Sequence, residues 1–188
     1  TVTTPSGLVE STKAQRTASL SDPNDMLSLT GLSERTTVNG RTSKAEFDAA
    51  TLTWAQTSAQ GRRSLVELNE KGRPVLARSA DLADVRYEYD SRGRLKALVQ
   101  GEGGDPRTVA LTYDPLGNLE TVTDPLERTS RFEYDLAGRV TEQTLPDGRT
   151  INYQYDPNGN LTALTPPGRD AHVFAYTPVD LEEQYTPP

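Results

Sequence analysis

The residues able to do chemistry in this chain are few. His172 is the only histidine, and there is no cysteine. A Ser-His-Asp or Cys-His arrangement would need His172 as its base. The alternation around it puts His172 on an inward strand position beside Phe174 and Tyr176, as a packed structural residue. The cluster Asp156-x-Asn158-Gly159-Asn160 hints at a calcium loop. Its Gly is misplaced, however, and the twelfth position is Pro167, where a bidentate Glu is needed. Asp90, Asp114, Asp135 and Asp156 offer carboxylates for a glycoside-hydrolase pair. Each directly follows a Tyr and precedes a turn, where Asp instead accepts backbone N–H bonds. The regularly spaced Tyr residues suggest either a carbohydrate-stacking ladder or an inner apolar layer whose hydroxyls reach neighbours. Asn160-Leu161-Thr162 is a glycosylation sequon. No Gly-rich loop runs into Lys-Ser/Thr, so no phosphate cradle is indicated. The sequence thus predicts no catalytic residue, no cofactor-binding residue, no cofactor and no metal site.

What positions these residues is an internal repeat. Tyr89-Asp90-Ser91-Arg92-Gly93-Arg94-Leu95 is echoed by Tyr113-Asp114-Pro115-Leu116-Gly117-Asn118-Leu119. Two more copies run Tyr134-Asp135-Leu136-Ala137-Gly138-Arg139-Val140 and Tyr155-Asp156-Pro157-Asn158-Gly159-Asn160-Leu161. The spacing is 21 residues, lengthened once to 24 by Gly101-Glu102-Gly103-Gly104-Asp105-Pro106. Weaker copies lie at Phe47-Asp48, at Leu68-Asn69-Glu70-Lys71-Gly72-Arg73 and at Tyr176-Thr177, and the stretch from Leu27 to Gly31 is a degenerate one. A second turn sits seven residues before the Tyr position, at Gly40, Gly61, Pro106, Glu127 and Gly148. Residues 1–25 carry no repeat.

Between turns the chain alternates. Val85/Tyr87/Tyr89, Val109/Leu111/Tyr113, Ile151/Tyr153/Tyr155 and His172/Phe174/Tyr176 form one face, with polar residues between them. After the Gly turn, Leu95/Ala97/Val99, Leu119/Thr121/Thr123 and Leu161/Ala163/Thr165 are expected to continue that face. Period two with one apolar side predicts half-buried antiparallel strands. The 24 Thr suit pleated surfaces, and the 13 Pro oppose long helices. The prediction is an all-β, antiparallel meander of about seven repeats and about 12–14 strands. Residues 1–25 form a non-repeat segment and 26–188 the array, clearest over 85–165.

Composition sets bounds on function. The 188 residues carry a net charge of -7, so there is no basic footprint for nucleic acid. Leu, Ile, Val and Phe make up 37 positions, near the border of disorder, and only the repeat argues for a fold. Zero cysteine excludes a disulfide scaffold. No apolar run approaches a membrane span. The chain begins at Thr1 without a start signal and reads as a piece of something longer.

The motif Tyr-Asp-x-x-Gly-Arg/Asn-Leu, with a second turn such as Pro146-Asp147-Gly148-Arg149, resembles the YD-repeat or Rhs-repeat family over roughly residues 40–180. That family includes bacterial Rhs polymorphic toxins, Tc toxin shell components and the teneurins. The resemblance implies an open-ended fragment of a spiralling β-sheet shell, without enzymatic activity, from a secreted or cell-surface bacterial protein. The implied partners are the rest of the shell and an encapsulated C-terminal toxic domain, with secretion-system or carbohydrate partners beyond them. The family's self-cleaving segment carries Asp-Pro-x-Gly motifs. Asp114-Pro115-Leu116-Gly117 and Asp156-Pro157-Asn158-Gly159 match that tetrapeptide but sit inside ordinary repeats. The alternative functions are an extracellular carbohydrate- or receptor-binding module and, more distantly, a glycoside hydrolase. A one-faced sheet with open edges is also expected to self-associate as an isolated fragment.

Overall fold

The structure, a computed structural model, describes residues 2–3, 9–103 and 105–188. Its described residues contain strands and turns and no helix. β1 (Val2–Thr3) and β2 (Val9–Glu10) form a two-stranded pair. Sixteen further strands make one open antiparallel sheet in strict sequence order. They are β3 (Thr12–Leu20), β4 (Leu29–Val38), β5 (Arg41–Asp48), β6 (Thr53–Thr57), β7 (Arg63–Leu68), β8 (Pro74–Ser79), β9 (Leu82–Tyr89), β10 (Leu95–Gln100), β11 (Arg107–Tyr113), β12 (Leu119–Thr123), β13 (Thr129–Tyr134), β14 (Val140–Thr144), β15 (Thr150–Tyr155), β16 (Leu161–Thr165), β17 (His172–Tyr176) and β18 (Glu182–Thr186). The strand number exceeds the expected 12–14, partly because Thr12–Leu20, in the segment without repeats, pairs along its whole length with β4.

The chain divides into two compact units, Thr1–Glu88 with Leu98–Arg107, and Tyr89–Ala97 with Thr108–Pro188. In the first unit one face carries an unbroken cross-strand row, Ala18–Leu32–Phe47–Trp54–Val66–Ala77–Val85. The Phe47 and Trp54 rings meet at 5.3 Å. In the second unit the rows are Leu111–Val122–Ser130, Phe132–Gln143–Ile151 and Tyr153–Leu164–His172. The opposite face is mostly polar, with hydroxyl pairs such as Thr112–Thr121 and Thr123–Thr129.

These rows correct one expectation. The pairing shifts register at Tyr113, Tyr134, Tyr155 and Tyr176, so Tyr113 faces Leu119 while Thr112 faces Thr121. The extra residue flips the side-chain parity of the second strand. Val122 and Leu164 therefore continue the Tyr face, whereas Thr121 and Ala163 lie on the other side.

The array is also staggered. Positions aligned across two strands recur every 19 residues along β5, β7 and β9 and along β11, β13, β15 and β17, as from Phe47 to Val66 and from Leu111 to Ser130, while the sequence repeats every 21. Each repeat therefore slides two residues along the strand, about 6.8 Å, for every two strands, about 9.6 Å. The corresponding slant of about 35° falls in the range that sheets closing into barrels require.

No described element forms a second layer over the apolar face. Ala163 is the only buried hydrophobic among the described residues. The accessible surface is 13272 Å² for 20.6 kDa. A compact chain of that mass would expose about 8,900 Å², and two compact halves about 10,700 Å² in total.

The Tyr-Asp turns close by one rule. In the turn after Tyr134, the Gly138 N–H donates to the Asp135 carbonyl and the Asp135 N–H to the Arg139 carbonyl, both at 3.0 Å. The fourth turn residue is left-handed: Gly138 has φ 77°, and Glu127 takes φ 61° in the equivalent place of a second-type turn. Gly138→Val should cost about 1–2 kcal/mol from backbone strain alone. Glu127→Gly should stabilise by roughly 0.5–1 kcal/mol by relieving the same strain. Denaturant midpoints that shift in these opposite directions check the rule.

Candidate functional site

The recurrent constellation is the Tyr-Asp turn. The Asp side chain organises it. Oδ1 of Asp135 accepts from the Ala137 and Arg139 N–H groups, at 2.9 and 3.0 Å. Oδ2 accepts from Nε of Arg139 at 2.7 Å. In Asp114 and Asp156 the same oxygen accepts instead from Nδ2 of Asn118 (2.9 Å) and Asn160 (3.0 Å). The Arg-or-Asn alternation of the motif follows, because either residue places a side-chain N–H donor at that reach. The Arg–Asp pairs form within one turn, Arg94 with Asp90 and Arg139 with Asp135, and Arg149 pairs with Asp147 two residues away.

The turn is tolerant of substitution. Asn69 replaces Asp in the weaker copy, accepting from the Lys71 and Arg73 N–H groups at 2.9 and 3.0 Å. Thr177 replaces it in the last copy, where its Oγ1 accepts from the Leu181 N–H at 3.1 Å. Asp180 holds φ 59° in place of the missing Gly there. Its carboxylate accepts from Asn158 and Asn160 of the preceding turn, at 2.9 and 2.8 Å.

The Tyr residues join one repeat to the one before. Tyr113, Tyr134 and Tyr176 hydroxyls donate to the carbonyls of Leu95, Leu119 and Leu161, at 2.8, 2.8 and 3.0 Å. The acceptor is each time the residue after the preceding Arg/Asn. The Arg side chains reach in the opposite direction: Arg94 lies 4.3 Å over the Tyr113 ring and Arg139 4.8 Å over Tyr155. Nη1 of Arg139 also donates to the Asp156 carbonyl at 3.2 Å. Nη1 of Arg94 is buried without a hydrogen-bond partner. Tyr113 has both a guanidinium over its ring and its hydroxyl committed to backbone, Tyr155 has the first and Tyr134 and Tyr176 the second, and together these contacts form an inter-repeat clasp.

All four repeat carboxylates are held below the usual aspartate range. The main cause is the backbone N–H of Arg94 for Asp90 and of Arg139 for Asp135. For Asp114 and Asp156 it is the side-chain amide of Asn118 and Asn160. Their oxygens accept donors from their own turn, which is the chemistry of a bracket and not of a proton donor. His172 sits on the Tyr face with Nδ1 2.6 Å from the Tyr185 hydroxyl and its ring stacked on Tyr185 at 5.9 Å. Leu164, His172, Phe174, Glu182 and Tyr185 line an open hollow of about 420 Å³. Among the described residues no group of three or more His, Cys, Asp or Glu is placed to hold a metal ion. No described helix is long and apolar enough to cross a membrane.

Comparison with known proteins places this geometry in context. The family described as the teneurin YD-shell matches residues 2–181. None of the curated proteins compared with the chain matches it. A crystal structure of TcdB2-TccC3-Cdc42 aligns at TM-score 0.59 with 14% identity, over 90% of this chain and 12% of that one. TcdB2-TccC3 without its hypervariable C-terminal region aligns at TM-score 0.58 with 13% identity, over 94% and 12%. A Photorhabdus luminescens Tc holotoxin pore aligns at TM-score 0.53 with 14% identity, over 90% and 11%. The chain thus spans about an eighth of the length of these structures, and at such identities the likeness is one of fold.

Two outcomes test the clasp. With folded-state pKa values depressed, these aspartates stabilise the fold fully above their unfolded value of about 3.9 and lose that contribution as pH falls through the lower folded values. Urea midpoints should be flat from neutral pH to just above that value and then fall, with a smaller fall in Asp135→Asn. Tyr134→Phe should cost about 0.5–1.5 kcal/mol, the worth of one hydrogen bond whose carbonyl acceptor is left unpaired. An unchanged midpoint in both variants would contradict the bracket.

Proposed function

The chain belongs to the teneurin YD-shell family, and from that membership we propose that it is a non-catalytic wall segment of a YD-repeat shell that encloses a cargo domain. A structural shell role is what the family and its structural relatives share. The further steps are our reading: the enclosed cargo is a C-terminal toxic domain, the shell delivers it to other cells, and the whole is an exported bacterial protein. The observation that carries the reading is the sheet itself. It has one apolar face, a single layer and only Ala163 buried among its described hydrophobics. An apolar face left to itself must be covered. The two-residue stagger per repeat supplies the slant by which a sheet curls towards enclosure. The face lined by Leu111, Phe132, Ile151 and Tyr153 is then the inward one.

The clasp argues against the two competing functions. Ring faces occupied by Arg94 and Arg139 are poor sugar platforms. Carboxylates locked into turn hydrogen bonds are poor acids or nucleophiles for glycoside hydrolysis.

A photo-crosslinking residue in the intact shell protein tests the assignment. Placed at Phe132 or Tyr153 it should capture enclosed polypeptide. Placed at Arg131 or Gln154, on the opposite face, it should not. Equal capture from both faces, or capture only from the polar one, would overturn the reading.

A further inference from the structure

Along β4 to β7, charge is segregated by strand end. The half next to the Gly40 and Gly61 turns, residues 34–44 and 56–64, holds Arg35, Arg41, Lys44, Arg62 and Arg63 against a single acid, Glu34. Glu34 is already answered by Arg16 at 3.0 Å. Glu46, Asp48 and Glu67, the acids on the polar face of these strands, lie in the other half. On that face the register lines up one straight row, Arg35–Lys44–Thr57–Arg63, across four neighbouring strands. Arg35 stands directly opposite Lys44, and like charges so placed cost stability. Other cations of the same face are neutralised, Arg78 by Glu67 and Asp84 and Arg86 by Glu102. In the row only Lys44 has an acid in reach, Glu46. Arg35 and Arg63 are exposed and have no ion-pair partner among the described residues. The Thr57 hydroxyl has no hydrogen-bond partner among them either. Lys44, Thr57 and Arg63 also border an open hollow of about 760 Å³. A repulsive row kept in a chain of net charge -7 gains nothing inside the fold. We propose that the row binds a linear acidic polysaccharide, with a carboxylate on each sugar, laid across the strands.

Spacing selects this class of ligand. Adjacent strands set the backbones at Arg35 and Lys44 about 4.8 Å apart and those at Lys44 and Arg63 about 9.6 Å apart. A pyranose unit advances its chain by about one strand spacing, so consecutive sugars fall over Arg35, Lys44, Thr57 and Arg63 in turn. Each guanidinium offers two N–H donors to a carboxylate, and the Thr57 hydroxyl meets a sugar hydroxyl. An extended acidic peptide presents one face only every ~6.6 Å and falls out of step. Nucleic acid lacks a platform for its bases, because residues 34–44 and 56–64 contain no aromatic. An anionic bilayer would cover Glu46, Asp48 and Glu67 as well and be repelled by them. The row uses no ring face, so the clasp leaves it untouched, and it does not depend on what the shell encloses.

Calorimetric titration of the full-length protein with a short polygalacturonate oligomer, at low and at physiological salt, tests the assignment. Binding should weaken with salt. Arg35→Gln and Arg63→Gln should each weaken it roughly two- to fivefold, the worth of one exposed ion pair, and the double variant by about the product of the two. Arg86→Gln, on the same face but outside the row, should leave it unchanged. The urea midpoint of Arg35→Gln should rise slightly, because the repulsion between β4 and β5 is relieved, which separates lost binding from lost fold. Absence of binding would overturn the proposal, and so would binding indifferent to both row variants. Equal binding of polyglutamate or single-stranded DNA would overturn it by showing an unselective polyanion surface. Equal binding of the methyl-esterified polymer would overturn it by showing that the carboxylates are not what is recognised.

Discussion

A sheet one strand thick has no interior, and nearly everything else in this protein answers that constraint. Hydrophobic burial is the main driving term for most folds, yet here one described hydrophobic is buried and most of the strand residues are only half covered. The remaining contributions come from neighbours: ladder hydrogen bonds, cross-strand pairs and turns that hold themselves. The Asp of each turn draws two or more donors onto one carboxylate within five residues. Such a turn is organised before any distant contact forms, which suits an array whose units touch only their neighbours.

The Tyr and Arg of the motif then connect one self-sufficient turn to the next. Tyr134 reaches back to Leu119, and Arg139 reaches forward over Tyr155 to the Asp156 carbonyl. The substituted copies show which parts matter. Asn69 and Thr177 keep the turn with a different acceptor, and Asp180 keeps the left-handed position without Gly. The Tyr176 hydroxyl still finds the Leu161 carbonyl although its turn has lost both motif residues. The bulge beside Tyr113, Tyr134, Tyr155 and Tyr176 completes the unit, for it shifts the pairing by one residue and so adds to the slant of the sheet.

Much of this was legible in the amino-acid sequence. Tyr-Asp-x-x-Gly at fixed spacing marks a turn because only a left-handed residue fits its fourth place, and alternation marks strands because side chains change face at every step. Those signals are local, and they identified the all-β meander, the turn positions and the apolar side of β11, β13, β15 and β17. That Arg139 pairs with Asp135 of its own turn was not legible, because a side chain's reach along one turn and across to the next are indistinguishable in spacing.

What the tertiary structure decided is everything that depends on register. A bulge inserts one residue without any compositional mark, so the inward residue after Leu119 is Val122 and not Thr121. The destination of each Tyr hydroxyl and the two-residue slide between repeats likewise emerge only when strands are laid side by side. Turn chemistry is encoded within a handful of neighbouring residues and is determined by the sequence itself. Pairing is a relation between separate segments of the chain, and a one-residue slip reverses every side chain it touches.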